Sequence, residues 1–393
     1  MDGQIYLDFG EKTKKINYTV PQIKNFGLVR SEENLQTLLE LYHEVTDIEV
    51  RREIVSSIGR QNNNQKIFDF IKENVFNCGF MDLVYQMYRT CLYKGRTDEN
   101  FKNLGEEIKN FFNNEVLNKM HDYFFYKQTH QGKILREIKY SKPILLRGDN
   151  LETLKKIEKN SVQLIFTSPP YYNAKIYSNY HSYQDYLNDM KKTLEICHEV
   201  LEDGRFIIIN VSPVISKRPG REFESIRYPI HFDFHRILTE TGFYFVDEIQ
   251  WIKPESSVKN RNGGYQQTKM PLSYKPNCIN ESIMVYRKNC NFLLDKNIAL
   301  YDKSFANDEI FDSSNCWYIA PTANKNHPAV FPKELCRKIL KYYSFRGDVV
   351  LDPFAGSGTF GNVAIEMKRI PILCEKNENY CDFINKGNNY VQL

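Results

Sequence analysis

Two short stretches of the sequence carry residue types that could do chemistry, and the first is Thr167-Ser168-Pro169-Pro170-Tyr171. Each proline lacks a backbone N–H and has a fixed φ angle, so the turn that contains them is rigid and its carbonyl groups point outward. A serine oxygen, a carbonyl oxygen and an aromatic ring in one rigid turn can hold an amino group. The alternative is a turn that ends a strand and packs its tyrosine in the core.

The second stretch is rich in glycine and runs from Asp352 to Gly361. Its spacing Gly356-x-Gly358-x-x-Gly361 matches the dinucleotide-binding fingerprint, in which glycines let the backbone approach a nucleotide at the start of a helix. Glu375 follows Gly356 by 19 residues, where an acidic side chain would hold the ribose hydroxyls of an adenosine cofactor. No lysine follows the glycines, which excludes a phosphate-binding P-loop. NAD is the first cofactor to consider, and the alternative for Glu375 is a solvated acid.

Both stretches follow short apolar runs that predict buried strands. Residues 162–166 precede the proline turn, residues 348–351 precede the glycine turn, and a third run lies at residues 205–211. An amphipathic pattern predicts a helix over 183–201, and a further helix is predicted over 362–368. Alternating strands and helices of this length predict an α/β fold with a doubly wound, mostly parallel sheet. Ligands bind at the carboxyl ends of strands in such sheets, where both stretches are expected to lie.

The first 140 residues have a different pattern. Residues 30–130 contain almost no proline and few glycines, and their apolar residues recur at helical spacing. The segment from Asp47 to Arg60 resembles the inner helix of a HEAT-type repeat, in which neighbouring helices bury each other's apolar faces. We therefore predict an all-helical N-terminal domain over residues 1–138, either HEAT-like or a plain helical bundle, and an α/β domain over residues 139–393.

Composition limits the class of protein. The chain has 393 residues and a formal net charge of +4, which predicts about two globular domains and is too weak to indicate a nucleic-acid binder by itself. We expect no membrane span and no signal peptide, because the apolar runs are short and no basic segment precedes one at the start. The nine cysteines form no C-x-x-C pair and no zinc pattern with histidine. We expect reduced thiols in a cytoplasmic protein without a metal site.

Together the two stretches resemble the signature of the S-adenosylmethionine-dependent DNA methyltransferases that modify exocyclic amino groups. The catalytic motif of that family is Asp, Asn or Ser followed by Pro-Pro and an aromatic residue, which residues 168–171 match. Its cofactor motif is F-x-G-x-G, which residues 354–358 match. The catalytic motif comes first by almost 190 residues, which is the circularly permuted order of the β class. The resemblance runs from about Lys142 to Asn389 and implies a Rossmann-like, class I methyltransferase sheet.

The resemblance implies roles for particular residues. Ser168, Pro169 and Pro170 would hold the target amine, and Tyr171 would stack on a base flipped out of the duplex. Tyr172 either assists this stacking or packs beneath the sheet. The residues implied in binding S-adenosylmethionine are Asp149, Asn150, Thr167, His327, Asp352, Phe354, Ala355, Gly356, Ser357, Gly358, Thr359, Glu375 and Lys376. Among them, Asp149 and Asn150 lie in a segment that resembles the adenine-binding motif, and His327 lies in one that closes over the methionine end of the cofactor.

The first residue of the catalytic motif bears on the target base. In the family, serine at the place of Ser168 usually goes with transfer to cytosine N4, and aspartate or asparagine with transfer to adenine N6. The resemblance therefore favours a cytosine-N4 methyltransferase, with an adenine-N6 enzyme as the alternative. It implies double-stranded DNA as the partner and a bacterial restriction–modification system with a cognate restriction endonuclease. The sequence gives no signal for the oligomeric state.

We expect local basic segments to bind the phosphate backbone of the DNA. Two loops carry the candidates for phosphate contacts, which are Lys217, Arg218, Arg221, Lys259, Arg261 and Lys269. Ordinary solvated surface is their alternative role. Phosphate contacts give affinity without sequence choice, so base reading is expected from the insertions at about 254–277 and 289–325 or from the helical domain.

Two hypotheses outside this chemistry stay open. An NAD-dependent oxidoreductase would use the fingerprint at Gly356 but leaves residues 168–172 without a role. A non-catalytic scaffold would use the helical repeats to bind a protein partner and would retain the second domain as a relic. The intact motif residues Ser168, Gly356 and Glu375 speak against the scaffold.

Overall fold

The computed structural model of the chain describes residues 4–7, 14–126, 138–172, 180–215, 220, 222–223, 225–258, 272, 276–288, 312–322, 330–387 and 390–392. The contacts between residues divide the protein into two units, Met1–Gln131 and Gly132–Leu393. Each unit has its own cluster of buried apolar side chains. Among the helices within these ranges, none is long and apolar enough to cross a membrane.

The first unit consists mainly of helices, several of which begin at a polar capping residue. Ser31, Asp47, Asn63 and Asp98 each accept a hydrogen bond from a backbone N–H of the first turn that follows. The elements in chain order are β1 (Gln4–Leu7), β2 (Lys14–Asn17), α1 (Val20–Phe26), α2 (Glu32–Glu44), α3 (Ile48–Gly59), α4 (Asn64–Asn74), α5 (Met81–Lys94), α6 (Glu99–Phe112) and α7 (Glu115–Tyr126). The strands β1 and β2 pair antiparallel and lie before the region whose periodicity predicts helices.

The second unit alternates strands and helices. Its strands are β3 (Ile144–Arg147), β4 (Val162–Thr167), β5 (Leu201–Val211), β6 (Val214–Ile215), β7 (Arg227–Tyr228), β8 (Phe243–Ile252), β9 (Asn280–Lys288), β10 (Cys316–Tyr318), β11 (Val349–Asp352), β12 (Ile370–Glu375) and β13 (Val391–Gln392). Its helices are α8 (Asn150–Thr153), α9 (Tyr183–Val200), α10 (Ile230–Glu240), α11 (Lys333–Tyr343), α12 (Thr359–Glu366) and α13 (Glu378–Gly387).

Most of these strands form one sheet. In the part of the chain that is described, the order is β10-β8-β9-β5-β4-β11-β12-β3-β13. The strands from β5 to β13 in this order run parallel to one another, whereas β9 runs antiparallel to both β5 and β8. The sheet is therefore mostly parallel, as the sequence pattern predicts, with β9 as the exception.

Helices cover both faces of this sheet. Along β4, Ile165 packs in one cluster with side chains of α9 and α10, whereas Leu164 and Phe166 pack in another with side chains of α11 and α12. Every residue of β4 is buried, as expected for a strand that is covered on both faces. The arrangement confirms the predicted doubly wound, Rossmann-like α/β fold of the second unit.

The strands β4 and β11 are neighbours in this sheet although they are far apart in the chain. After β4 the chain crosses to β5 on one side, and after β11 it crosses to β12 on the other side. Loops that leave adjacent parallel strands in opposite directions open a crevice at the carboxyl ends of the strands. The turn at Ser168 and the turn at Gly356 are these two loops.

Candidate active site

The two turns are joined by a direct hydrogen bond at the ends of their strands. Ile165 pairs with Leu351, and the hydroxyl of Thr167 donates a hydrogen bond of 2.7 Å to Oδ1 of Asp352. Both side chains are buried. The structure therefore brings the serine turn and the glycine turn to one edge of the sheet, on neighbouring strands.

The serine turn presents oxygen acceptors at this edge. Ser168 is half-buried, and its hydroxyl donates a hydrogen bond of 3.0 Å to the backbone oxygen of Asn210 on β5. Because the hydroxyl hydrogen is used there, the oxygen acts as an acceptor, to which the amide of Asn210 already donates at 3.5 Å. Pro169 is buried and Pro170 is half-buried.

Tyr171 and Tyr172 point to different surroundings. The hydroxyl of Tyr171 donates a hydrogen bond of 3.0 Å to Oε2 of Glu281, and burial together with the charge of Glu281 raises the pKa of Tyr171. Tyr172 packs edge-on against Tyr183 and Tyr228, with ring centroids 5.2 and 4.9 Å away. Tyr172 thus belongs to an aromatic cluster, which agrees with the packing role among its two expected roles.

A cluster of polar side chains behind the serine turn was not found from the sequence. The amide of Asn210 donates to Glu281, and its Nδ2 also lies 3.5 Å from both Ser168 Oγ and Tyr171 OH. Lys253, just after β8, forms an ion pair with Glu281 at the start of β9. Asn210 alone carries a signal in the sequence, because it is an amide residue at the end of the apolar run of β5.

The glycine turn is held against β12 by backbone hydrogen bonds and by the carboxylate of Glu375. Ala355 N donates to the backbone oxygen of Cys374 at 3.0 Å, and Gly356 N donates to Oε2 of Glu375 at 2.7 Å. Gly356 and Gly358 have φ angles of 52° and 75°, a left-handed conformation that glycine adopts without strain. The helix after the turn begins at Thr359 rather than at the predicted residue 362, because Gly358 is already its N-cap.

Glu375 keeps acceptor capacity toward the crevice. Its Oε1 accepts a hydrogen bond of 2.8 Å from Asn377 N, so each carboxylate oxygen receives one backbone N–H. A carboxylate oxygen has two lone pairs, so this carboxylate can accept further hydrogen bonds besides those from the backbone. Burial raises the pKa of Glu375 above its usual value, although the backbone donors oppose this rise.

Asp149, Asn150 and Lys376 lie beside Glu375 at the same edge. Arg147, the last residue of β3, lies opposite Glu375 in the register of β3 and β12. Gly148 N donates to the backbone oxygen of Glu375 at 2.9 Å. Asp149 caps α8 through a 3.0 Å hydrogen bond from Leu151 N, and Lys376 Nζ lies 3.1 Å from its Oδ2. Asn150 donates to Thr193 Oγ1 at 3.0 Å.

Asp352 is the most perturbed carboxyl group at this edge. It is buried, and Phe354 N donates a hydrogen bond of 3.0 Å to the same oxygen that Thr167 contacts. Burial raises the pKa of Asp352 to about 7, although these two hydrogen bonds act in the opposite direction. Near neutral pH this carboxyl group therefore exists in both protonation states.

A cavity lies between the two turns at this edge of the sheet. A small apolar cavity is lined by Thr167 and Pro169 from the serine turn, by Pro353 and Phe354 from the glycine turn, and by Leu194 and Cys197 of α9. Ala355 and Ser357 are buried, and the hydroxyl groups of Ser357 and Thr359 lie 3.3 Å apart. One cavity thus contacts both turns.

Several predicted site residues fall outside the described part of the chain. They are His327 of the cofactor set and all the candidates for phosphate contact, Lys217, Arg218, Arg221, Lys259, Arg261 and Lys269. Most of the two predicted insertions, at about 254–277 and 289–325, falls outside it as well.

Comparison with known families gives one match that covers more than half of the chain. The model of the N6/N4 methyltransferase family, described as DNA methylase, matches residues 162–386. These residues include both turns and every strand of the central sheet from β4 to β12.

Individual relatives are similar over the same region. The type II methyltransferase M.HpaI of Haemophilus parainfluenzae is 30% identical over 249 residues, which cover 61% of this chain and 71% of that protein. The type II methyltransferase M.BglI of Bacillus subtilis is 26% identical and is covered to 84%. The type II beta methyltransferase M.BslI of a Bacillus species is 26% identical, with 61% of this chain matched, and the matched region spans only 26% of M.BslI.

Two solved structures are similar to the second unit of this chain. The PvuII DNA methyltransferase, described as cytosine-N4-specific, has a TM-score of 0.46 and 20% identity over 64% of this chain and 95% of its own. The complex of M1.HpyAVI with S-adenosylmethionine has a TM-score of 0.42 and 18% identity over 63% of this chain and 98% of its own.

Proposed function

The chain belongs to the N6/N4 DNA methylase family, and on that premise we propose that it transfers a methyl group from S-adenosylmethionine to an exocyclic amino group of double-stranded DNA. The observation that carries the proposal is the hydrogen bond between Thr167 and Asp352. It joins the strand ends that carry the serine turn and the glycine turn, so a methyl donor on one turn lies beside an amine on the other.

The residues of the glycine turn fit an adenosine cofactor. The carboxylate of Glu375, which can accept several hydrogen bonds, suits the two ribose hydroxyls, and Asp149, Asn150 and Lys376 lie beside it, where the adenine would be bound. We also assign Asp352, Phe354 to Thr359 and Thr167 to the cofactor, and His327 to its methionine end. S-adenosylmethionine supplies a methyl group that is already activated on a positively charged sulfur. The protein therefore has to position the amine rather than to activate the donor.

The serine turn holds the amine. Ser168 Oγ and the Pro169 carbonyl accept hydrogen bonds from the two amino hydrogens, which turns the nitrogen lone pair out of conjugation with the ring and toward the methyl group. The methylated nitrogen then releases one of its hydrogens as a proton to solvent. The hydroxyl hydrogen of Ser168 is already donated to Asn210, so its oxygen faces the amine as an acceptor. Pro170 keeps the turn rigid, and the ring of Tyr171 stacks on a base that has been flipped out of the duplex.

We assign the target amine to N4 of cytosine, because Ser168 occupies the position that goes with this base in the family. The two hypotheses outside this chemistry, an NAD-dependent oxidoreductase and a non-catalytic scaffold, give the serine turn no role. The names of M.HpaI and M.BglI support a type II restriction–modification system, with a cognate restriction endonuclease as the companion protein in the cytoplasm. Lys217, Arg218, Arg221, Lys259, Arg261 and Lys269 are assigned to the DNA backbone.

Incubation of the purified protein with plasmid DNA and S-adenosylmethionine, followed by mass spectrometry of the nucleosides, tests this proposal. N4-methylcytosine is the expected product, and omission of the cofactor should remove it. N6-methyladenine alone would retain the methyltransferase and overturn the assignment of the base. DNA without any methylated nucleoside, across plasmids that together contain all short sequences, would overturn the proposed activity itself.

A further inference from the structure

Three hydrogen-bond donors converge on the carboxylate of Glu281, which lies outside both motifs. Tyr171 OH donates to Oε2 at 3.0 Å, the Asn210 amide donates to the same oxygen, and Lys253 Nζ contacts Oε1. The side chains of Glu281 and Lys253 are only 14% and 17% exposed. A buried ion pair loses hydration free energy, and this loss destabilises the fold unless good geometry and further hydrogen bonds offset it.

The direction of β9 explains how Glu281 reaches the site. Because β9 runs antiparallel to β5, its first residues lie at the edge of the sheet where β4 and β5 end. Ser282 pairs with Val211, so Glu281 comes level with the end of β5, next to Asn210. Lys253 follows β8 on the other side of β9, and its ammonium lies 4.5 Å from the centre of the Trp251 ring.

Asn210 and Tyr171 connect this carboxylate to the serine turn. Asn210 accepts the hydroxyl hydrogen of Ser168 with its backbone oxygen, and its Nδ2 lies 3.5 Å from Ser168 Oγ. Asn210 is almost fully buried, so bulk solvent does not reach its amide. The carboxylate of Glu281 thus holds two groups, the Asn210 amide and the Tyr171 hydroxyl. The first contacts Ser168 Oγ, which is assigned to the target amine, and the second belongs to the ring that is assigned to the target base.

We propose that Glu281, held in place by Lys253, is a positioning residue for methyl transfer that fixes the Tyr171 ring and the Asn210 amide and thereby the direction of Ser168 Oγ. This inference rests on the proposed function. Three donors require acceptor sites on both carboxylate oxygens, which a glutamine at this position cannot supply, because one of its two terminal atoms is itself a donor. Replacement of the carboxylate by an amide therefore turns one donor away and loosens the turn.

A positioning role has a kinetic signature that a purely structural role lacks. Misplacement of a reacting group by about 1 Å can slow a reaction by on the order of 100-fold while binding is retained. We expect Glu281→Gln to lower the single-turnover rate about 10- to 100-fold, with the Kd for S-adenosylmethionine and the KM for DNA changed by less than about threefold. The matched control is Glu248→Gln, which replaces a carboxylate on β8 that contacts Ser282 at 2.6 Å and takes no part in the cluster.

Tyr171→Phe tests the same inference without disturbing the buried ion pair. It keeps the ring for stacking and removes only the hydroxyl that contacts Glu281, so a smaller loss, about 3- to 10-fold, is expected. If Glu281 acts through this hydroxyl, adding Tyr171→Phe to Glu281→Gln should lower the single-turnover rate by less than about a further twofold. The effects of mutations in residues that act as one unit are not additive.

The experiment measures single-turnover methyl transfer to duplex DNA by the full chain and by these variants. A wild-type protein that transfers no methyl group overturns the proposed function, and the inference with it. If the wild type is active and either Glu281→Gln or Tyr171→Phe keeps its rate, the inference alone is overturned. Additive losses, or a loss in rate that is matched by equal weakening of cofactor and DNA binding, overturn it as well.

Discussion

The hydroxyl of Thr167 donates a 2.7 Å hydrogen bond to Oδ1 of Asp352, although 185 residues separate them in the chain. Each of these residues ends a buried strand, and the residue that follows opens one of the two turns of the site. The bond is shielded from water, so it is not weakened by competition with solvent. It joins the ends of the strands that carry the serine turn and the glycine turn, which is the relationship on which the proposed methyl transfer depends.

Replacement of Ser168 should separate transfer from cofactor binding. We expect Ser168→Ala to lower the transfer rate on the order of 100- to 1000-fold, because one preorganised partner of the reacting group is lost. The Kd for S-adenosylmethionine, measured by calorimetry, should stay within about twofold, since Ser168 itself is not among the residues assigned to the cofactor.

Thr193→Ser is a suitable control for Ser168→Ala, because it keeps the hydroxyl that Asn150 contacts and leaves both turns unchanged. If Ser168→Ala lost cofactor affinity by as large a factor as it lost transfer rate, the serine turn would belong to the cofactor pocket instead.

Glu375→Gln should weaken cofactor binding. The amide keeps the shape of the side chain but lacks the charge, and hydrogen bonds to a charged group are worth about 1.5–3 kcal/mol, so the Kd for S-adenosylmethionine should rise about 10- to 100-fold. Calorimetric titration measures this directly.

The exposed carboxylate of Glu378, three residues further on, provides the comparison for Glu375. Glu378→Gln should bind the cofactor like the wild type. Unchanged affinity in Glu375→Gln would contradict the assignment of the ribose to this carboxylate.

Asp352 should give the stability of the protein a distinct pH dependence. Below about pH 4 the carboxyl group is protonated in both the folded and the unfolded chain, whereas between pH 4 and 7 only the folded chain keeps the proton. The unfavourable burial of the charge therefore grows as the pH rises and is complete above pH 7. Asp352→Asn removes this charge, so the variant should be more stable than the wild type. Its advantage in free energy of unfolding should be larger at pH 8 than at pH 5.5 by about 2 kcal/mol.

Urea unfolding of the wild type and of Asp352→Asn at these two pH values checks the prediction. Asparagine retains the oxygen that accepts hydrogen bonds from Thr167 and Phe354, so the comparison isolates the charge. A difference between the variants that does not change with pH would show that the carboxyl group titrates near its ordinary pKa.

Gly361 should be intolerant of a methyl group for reasons of packing. A Cβ atom at this position would lie 2.6 Å from Tyr390 OH and 2.7 Å from Leu373 Cδ1, in the contact between α12 and β12. We expect Gly361→Ala to lower the free energy of unfolding by about 1–3 kcal/mol. Gly79→Ala is the control, because a Cβ atom there meets nothing within 4 Å.

Chemical unfolding that is followed by circular dichroism compares the two glycine variants. A Gly361→Ala protein as stable as Gly79→Ala would show that α12 can shift away from β12 without cost.

The residues that could be located from the sequence are those that lie within one turn. Ser168, Tyr171 and Gly356 belong to local strings whose prolines and glycines have backbone properties that can be read directly, and the strands before them are uninterrupted apolar runs. The position of Glu375 follows from its spacing to the glycines. The fold class followed in the same way, from the alternation of these runs with helical patterns.

The polar cluster could not be predicted because it is assembled from three strands. Asn210, Lys253 and Glu281 follow one another at intervals of about 30 to 40 residues with no motif, and they meet only because β9 runs antiparallel to its neighbours. An apolar run that forms a buried strand looks the same in either direction, so periodicity does not reveal which end of β9 reaches the site.

A crystal structure of the protein with S-adenosylhomocysteine bound is the most direct test of the claim that both turns serve one reaction. An amine that contacts Ser168 and is poised about 3–3.5 Å from the methyl carbon requires the cofactor sulfur to lie within about 7 Å of Ser168 Oγ. We expect that distance, with the ribose hydroxyls on Glu375. A ligand bound on another edge of the sheet, or one whose sulfur points away from Ser168, would contradict it.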